Sequence, residues 1–179
     1  PRRNLVWALE KLVFRKVSFD VASKILFRFA VAENESWANN ATNQFVHLAQ
    51  VLLPGTEVNL SDRLNPIRWG IGLNDSEFTR IAISALGRGL QYDHFSRSGG
   101  AENQGGGAPL KDYTPETWQE VHEYWDQILK LLIPLGRAKD TNSVNAKNAI
   151  ANAIRSLVRH GRLELVDNAI RKIHEGNNS

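Results

Sequence analysis

Apolar residues recur at helical spacing along almost the whole chain. Leu5, Leu9, Leu12 and Val13 fall at i, i+4, i+7 and i+8, one stripe of a helix from about residue 3 to 15. Ser18 is placed to cap a second helix, on which Val21, Ala22, Ile25, Leu26 and Phe29 form a broad apolar face. The polar stretch 33–40 interrupts the pattern before a third helix carrying Phe45, Leu48, Ala49 and Leu52, ended by Pro54-Gly55. A shorter helix spans about residues 60 to 73, and Asn74 with Glu77 resembles a capping box for the next, lined by Phe78, Ile81, Ala82, Ala85 and Leu86.

Residues 92–114 are different in kind: a long Gly-rich segment holding Ser98-Gly99-Gly100 and Gly105-Gly106-Gly107. At about 20 residues it exceeds the usual connection length, so it reads as a functional or disordered loop. Thr114-Pro115 then supplies an N-cap and a first-turn proline for a helix striped by Trp118, Val121, His122, Trp125, Ile128, Leu129 and Leu132, which Pro134 closes. Ala146, Ile150, Ala153, Ile154, Leu157 and Val158 line one more helix, stopped by Gly161, and Leu165, Val166, Ala169, Ile170 and Ile173 line the last. No strand alternation persists. The expectation is an all-α domain of about seven helices covering residues 1–179. The hairpins at 5–33 and 145–174 look alike, which favours stacked antiparallel helical hairpins, a HEAT-like superhelix, over a closed bundle.

Composition narrows the class. The chain has 179 residues, 42% of them hydrophobic, which is enough for a core and too many for a disordered chain. No apolar run approaches the roughly 20 residues of a membrane span. The absence of Cys excludes disulfides and thiol catalysis and fits a reducing, cytoplasmic setting. With 22 Lys+Arg against 19 Asp+Glu, the surplus of three positive charges is small and scattered, which disfavours a nucleic-acid binder. The start at Pro1, the lack of any Met and the polar end at 175–179 read as an excerpt of a longer chain.

The candidate chemistries fail on their spacing. Gly99-Gly100-Ala101-Glu102-Asn103-Gln104-Gly105 lacks the Lys and Ser/Thr of a phosphate-binding loop and the strand before it, and no βαβ unit supports a dinucleotide site. His122-Glu123 has Asp126 where a zinc-peptidase helix needs its second His, so His122 reads as a packed histidine on the Trp118/Trp125 stripe. Asp93-His94-Phe95-Ser96-Arg97 collects an acid, an imidazole and a hydroxyl, but neighbours in a loop point different ways. Trp118 and Trp125, seven apart, read as core; Trp37, inside a polar stretch, suits a contact anchor. No catalytic, cofactor or metal residue is assigned. The recognition patch expected from the sequence is Glu33, Asn34, Trp37, His94 and Arg97.

Residues 29–42 (FAVAENESWANNAT) and 109–118 (PLKDYTPETW) resemble helical-repeat regions of large bacterial multidomain proteins. In those proteins a nucleotide-binding or NAD-consuming module is joined to a long helical sensor, as in anti-phage STAND-type ATPases. The resemblance spans residues 5–133 and carries over no catalytic residue. It implies a sensor or scaffold role in antiviral defence. The expected function is therefore a non-enzymatic segment that recognises a protein partner, a neighbouring domain or a ligand. The alternatives are a nucleic-acid-associated helical module and an enzyme with its site at 92–97.

Overall fold

The computed structural model describes residues 2–92 and 110–175. They form α1 (Arg2–Leu12), α2 (Lys16–Val31), α3 (Ala41–His47), α4 (Leu64–Gly72), α5 (Ser76–Gly89), α6 (Trp118–Arg137), α7 (Thr141–Arg159) and α8 (Leu163–Glu175). Among the described residues there is no strand, and the protein is all-α. None of these helices is long and apolar enough to cross a membrane.

The helix ends differ from the sequence expectation where a nearer side chain takes the capping role. Asp75, not Asn74, caps α5, its carboxylate accepting from the N–H groups of Glu77 and Phe78; Asn74 takes the left-handed turn before it, at φ 54°. Thr117, not Thr114, caps α6, accepting from Glu120 N, so the helix begins at Trp118. Ser18 lies inside α2, where its hydroxyl donates back to Leu12 O at 2.6 Å. Pro134 does not close α6, which runs on to Arg137. Gly161 behaves as expected: at φ +74° it lets the Arg162 N–H reach Leu157 O and its own N–H reach Val158 O, the paired bonds of a Schellman end.

Two aromatic assemblies anchor the core. Toward the N-terminal half, Phe27 stacks on Phe45 with centroids 4.0 Å apart and touches Phe78 and Trp69 at 5.0 and 6.2 Å. Gly70 is obligatory beside it, because a Cβ there would lie 2.1 Å from the Phe27 ring. On α6, the buried Tyr124 hydroxyl donates to Ala49 O at 2.8 Å and Trp125 Nε1 to Gly89 O at 3.1 Å. Those bonds tie α6 to the end of α3 and to the end of α5.

The irregular connection from α3 to α4 is organised by one buried cation. Arg63 is 1% exposed and donates to the carbonyls of Leu48, Gln50 and Asn59 between the rings of Tyr113 and Tyr124. Its burial pushes the guanidinium down from its ordinary value, opposed by Tyr124, Tyr113, Glu120 and Asp112. The chain entering α6 is pinned to the same connection: Tyr113 N donates to Thr56 O at 2.8 Å, and Asp112 accepts from Gly55 N at 2.6 Å.

Helices close in sequence pair at both ends, α1 with α2 and α7 with α8. Between them α5 touches α2, α3, α4, α6 and α7, so it is a hub of the fold. The outward row Val17, Val21 and Ile25 of α2 is exposed, although Val21 and Ile25 belong to the face expected to be apolar and inward; Ala22 and Leu26 of that face are buried as expected, and Phe19 and Phe27 are buried beside them.

Candidate functional site

The expected recognition patch divides once its hydrogen bonds are traced. Glu33 is spent on the chain itself: Oε1 accepts from Asn34 N and Glu35 N at 3.0 Å, Oε2 accepts from Ala41 N at 2.8 Å, and Arg2 lies 3.6 Å away. It holds the turn into α3, together with Asn40, whose side chain accepts from Asn43 N. Trp37 is half-buried, donates from Nε1 to Glu35, and carries Arg3 over its ring at 5.1 Å. Asn34 is exposed. His94 and Arg97 lie outside the described residues, as do 93–97 of the alternative enzyme site and most of the 92–114 loop.

The open polar surface is elsewhere. Where α5 and α7 cross, Gly87 brings the backbones close; a Cβ at Gly87 would sit 3.1 Å from that of Ala149. Beside this contact lies a groove of about 440 Å³. Arg80, Ser84 and Arg88 of α5 and Gln91 just beyond it stand on one side, Asn145, Asn148 and Asn152 of α7 on the other, with Val46, Ile83 and Ala149 between them. Among the described residues no carboxylate lines it. Arg80 pairs with Glu77 at 2.9 Å along the helix surface, while Arg88 is fixed by Gln91 at 2.7 Å. With its amide turned so that the oxygen faces the guanidinium, Gln50 also accepts from Arg88, at 2.9 Å.

The asparagines form part of a longer polar face of α7. Asn142 is buried and donates to Ser76 O at 3.0 Å, fastening α7 to the start of α5. Asn145 reaches Asn142 Oδ1 at 3.4 Å. Asn148 and Asn152 are exposed and neither side chain makes a hydrogen bond among the described residues. Ser156 Oγ accepts from the backbone N–H of Tyr92 at 3.1 Å. Asparagine is a poor residue for a helix interior, so four of them within α7 work against local propensity. That cost is offset at Asn142 by a bond and is left standing at Asn148 and Asn152.

The same face ends in a ring cluster. His160, the C-cap of α7, has Nδ1 2.8 Å from Ser156 O, which fixes the proton on that nitrogen. Around it lie Tyr92 at 5.0 Å, Trp118 at 5.2 Å and Trp125 at 5.8 Å, with His122 between the two tryptophans at 5.9 and 5.7 Å. Burial first, then the charges of Arg162 and His160, lowers the His122 pKa; Glu164 opposes them. His122 Nε2 is buried without a partner. Trp118 is 48% exposed, against the expectation of a core residue, because it opens the helix instead of sitting a turn inside it. Among the described residues no three His, Asp or Glu side chains converge to hold a metal ion.

The sequence reading missed the groove. Asn142, Asn145, Asn148 and Asn152 share a helix face at i, i+3, i+6 and i+10, a signal available from the letters alone, but it reads as a solvated face until α5 is seen opposite. Compared with family models, curated proteins and solved structures, the chain matches none.

Proposed function

We propose that this chain is a non-enzymatic helical recognition module that engages a protein partner, a neighbouring domain or a ligand through the α5–α7 groove. The observation carrying the reading is a groove of about 440 Å³ into which α7 presents the amides of Asn148 and Asn152, neither of which the fold uses, beside Asn145, which reaches Asn142. Unpaired amides bind by exchanging water for a partner's donors and acceptors, and they supply neither a nucleophile nor a proton-transfer group. The setting proposed is the one implied by the resemblance: a scaffold or sensor arm of a cytoplasmic protein of bacterial defence.

The charge of the groove weighs against nucleic acid as its ligand. Two guanidiniums, both already paired, would give a single-strand salt slope of only about −1.4, at about 0.7 per neutralised phosphate. The reading is tested by fragment mapping on isotopically labelled protein, with N-methylacetamide, acetate and inorganic phosphate as probes. Shifts confined to Asn145, Asn148, Asn152 and Ser84, and abolished when Ser84→Trp fills the groove, are expected. Shifts that fall elsewhere, or that survive Ser84→Trp, would contradict it.

A further inference from the structure

We infer that the α1–α2 hairpin carries an interaction surface separate from the groove, and that it takes an acidic amphipathic helix of a protein partner along the outward row of α2. Val17, Val21 and Ile25 are 96%, 65% and 41% exposed and are spaced i, i+4 and i+8. They form one ridge about 12 Å long, the kind of row that helices pack by. Half-buried Phe29 continues it one step further, at i+12. Among the described residues six of the thirteen exposed large apolar side chains belong to this hairpin, Leu5, Trp7 and Leu12 of α1 with the three of α2. Scattered exposed valines are ordinary on a surface, but a periodic row on one hairpin marks a contact.

The charge of the hairpin indicates what covers the row. Residues 2–31 hold seven Lys and Arg against Glu10 and Asp20, a surplus of five, whereas the rest of the chain holds 15 Lys and Arg against 17 Asp and Glu. The small overall surplus therefore conceals a basic hairpin on a chain that is otherwise slightly acidic. Three of its cations are already engaged: Arg2 lies 3.6 Å from Glu33, Arg15 3.5 Å from Glu57 and Lys24 2.7 Å from Asp20. Lys16 and Arg28 are exposed and make no ion pair among the described residues. They stand at the two ends of the ridge, about 18 Å apart along the helix axis. Arg28 lies over the Trp69 ring at 5.6 Å, which restricts its side chain before any partner arrives.

This placement selects among occupants. Antiparallel pairing of two copies would set Arg28 of one against Lys16 of the other, and parallel pairing would set each against its own kind, so self-association is opposed either way. A lipid surface fits less well, because interfacial helices bury Trp, Phe or Leu; this ridge is Val, Val and Ile, and Trp7 is covered by Arg3 at 4.7 Å. A helix fits on both counts. Its aliphatic residues at i, i+4 and i+7 leave a groove that a ridge of this period enters, and Asp or Glu about three turns apart meet Lys16 and Arg28.

The test is selection by the intact chain from a library of helix-forming peptides with a fixed aliphatic row and all other positions randomised, followed by anisotropy titration of an enriched, labelled peptide. Enriched peptides should carry a surplus of Asp and Glu at both ends of the row. Val17→Asp and Val21→Asp, at exposed positions where the helical circular dichroism should not change, should each weaken binding about tenfold or more. Arg28→Glu should weaken it several-fold, and a peptide with Lys in place of the facing acid should recover the loss. Ser84→Trp, in the α5–α7 groove, should change nothing. Enrichment without an acidic surplus, no enrichment that depends on Val21, or binding lost in Ser84→Trp would overturn the inference. So would a Val21-dependent dimer in sedimentation, or Val21-dependent binding of single-stranded oligonucleotides or of vesicles of phosphatidylserine and phosphatidylcholine in preference to the peptides.

Discussion

Two regions of this molecule are crowded with asparagine and other hydrogen-bonding side chains, the turn 33–40 and the groove face of α7, and they spend different shares of that capacity on the fold. In the turn, Glu33 accepts from three backbone N–H groups, Asn40 caps α3 and also donates to Glu35 O at 2.8 Å, and Trp37 donates to Glu35. On α7, Asn142 and Ser156 are bonded to main chain, and Asn148 and Asn152 between them are not. Polar density therefore marks a candidate site poorly. Hydrogen-bonding capacity left over after the fold has taken its share marks it better, because a group already paired must break that bond before it can bind anything else.

The comparison can be broken first at the tryptophans of α6, where the expected effects are largest. Trp125 is fully buried and bonded to Gly89 O, so Trp125→Ala should cost about 3–5 kcal/mol. Trp118, half exposed, should cost about 1–2 kcal/mol, from roughly half the buried area. Equal losses in urea titrations would show that exposure has been misassigned at the mouth of the ring cluster. Next comes Glu33→Ala, which strands backbone N–H groups at the start of α3 and should cost about 2 kcal/mol; a loss under about 0.5 kcal/mol would mean that the turn is not held by Glu33.

A smaller effect is expected from pH. His122 resists protonation in the folded chain, mainly through burial. The unfolded chain takes up that proton near pH 6.5, so stability should fall as the pH drops through 6.5 and level off once the folded imidazole titrates as well. His122→Gln should flatten this dependence between pH 7.5 and 5, measured as denaturant midpoints against the parent chain; an unchanged slope would assign it to another group. The smallest effect belongs to the groove. Asn148→Ala and Asn152→Ala should each change stability by no more than about 0.5 kcal/mol. Any gain would come from the better helix propensity of alanine.

Much of the fold was legible in the sequence, because burial follows period. Leu9, Val13, Ala22 and Leu26 near the start, and Ala146, Ile150, Ala153 and Leu157 near the end, lie where their spacing placed them. Periodicity did not say how wide a face is covered. Val21 and Ile25 fall within the expected stripe of α2 yet remain exposed, since no described helix packs over them. Caps were legible only approximately, because Asn74 and Asp75, or Thr114 and Thr117, are all competent caps and the choice between them is made by tertiary contacts of the adjoining chain. Tyr113 bonded to Thr56 O draws residues 110–117 out along the α3–α4 connection and delays the start of α6 to Trp118.

The candidate site was less legible for a related reason. Spacing shows that Asn145, Asn148 and Asn152 share a face, but nothing local indicates that Arg80 and Arg88 stand opposite, some 60 residues earlier. The crossing of α5 and α7 at Gly87 and Ala149 brings them together. Glu33 and Trp37 attracted attention because a polar cluster beside an apolar helix is visible in one stretch of sequence. The bonds that occupy Glu33 reach to Arg2 and Ala41 and become visible only in three dimensions.

The most direct test of the account is to record intermolecular proton–proton contacts between the side-chain carboxamides of Asn148 and Asn152 and N-methylacetamide bound in the groove. The account predicts contacts from both carboxamides, lost in Ser84→Trp, with the carboxamides of Asn40 and Asn142 unperturbed. Contacts that map to the turn 33–40, or a bound probe that leaves Asn148 and Asn152 untouched, would contradict it.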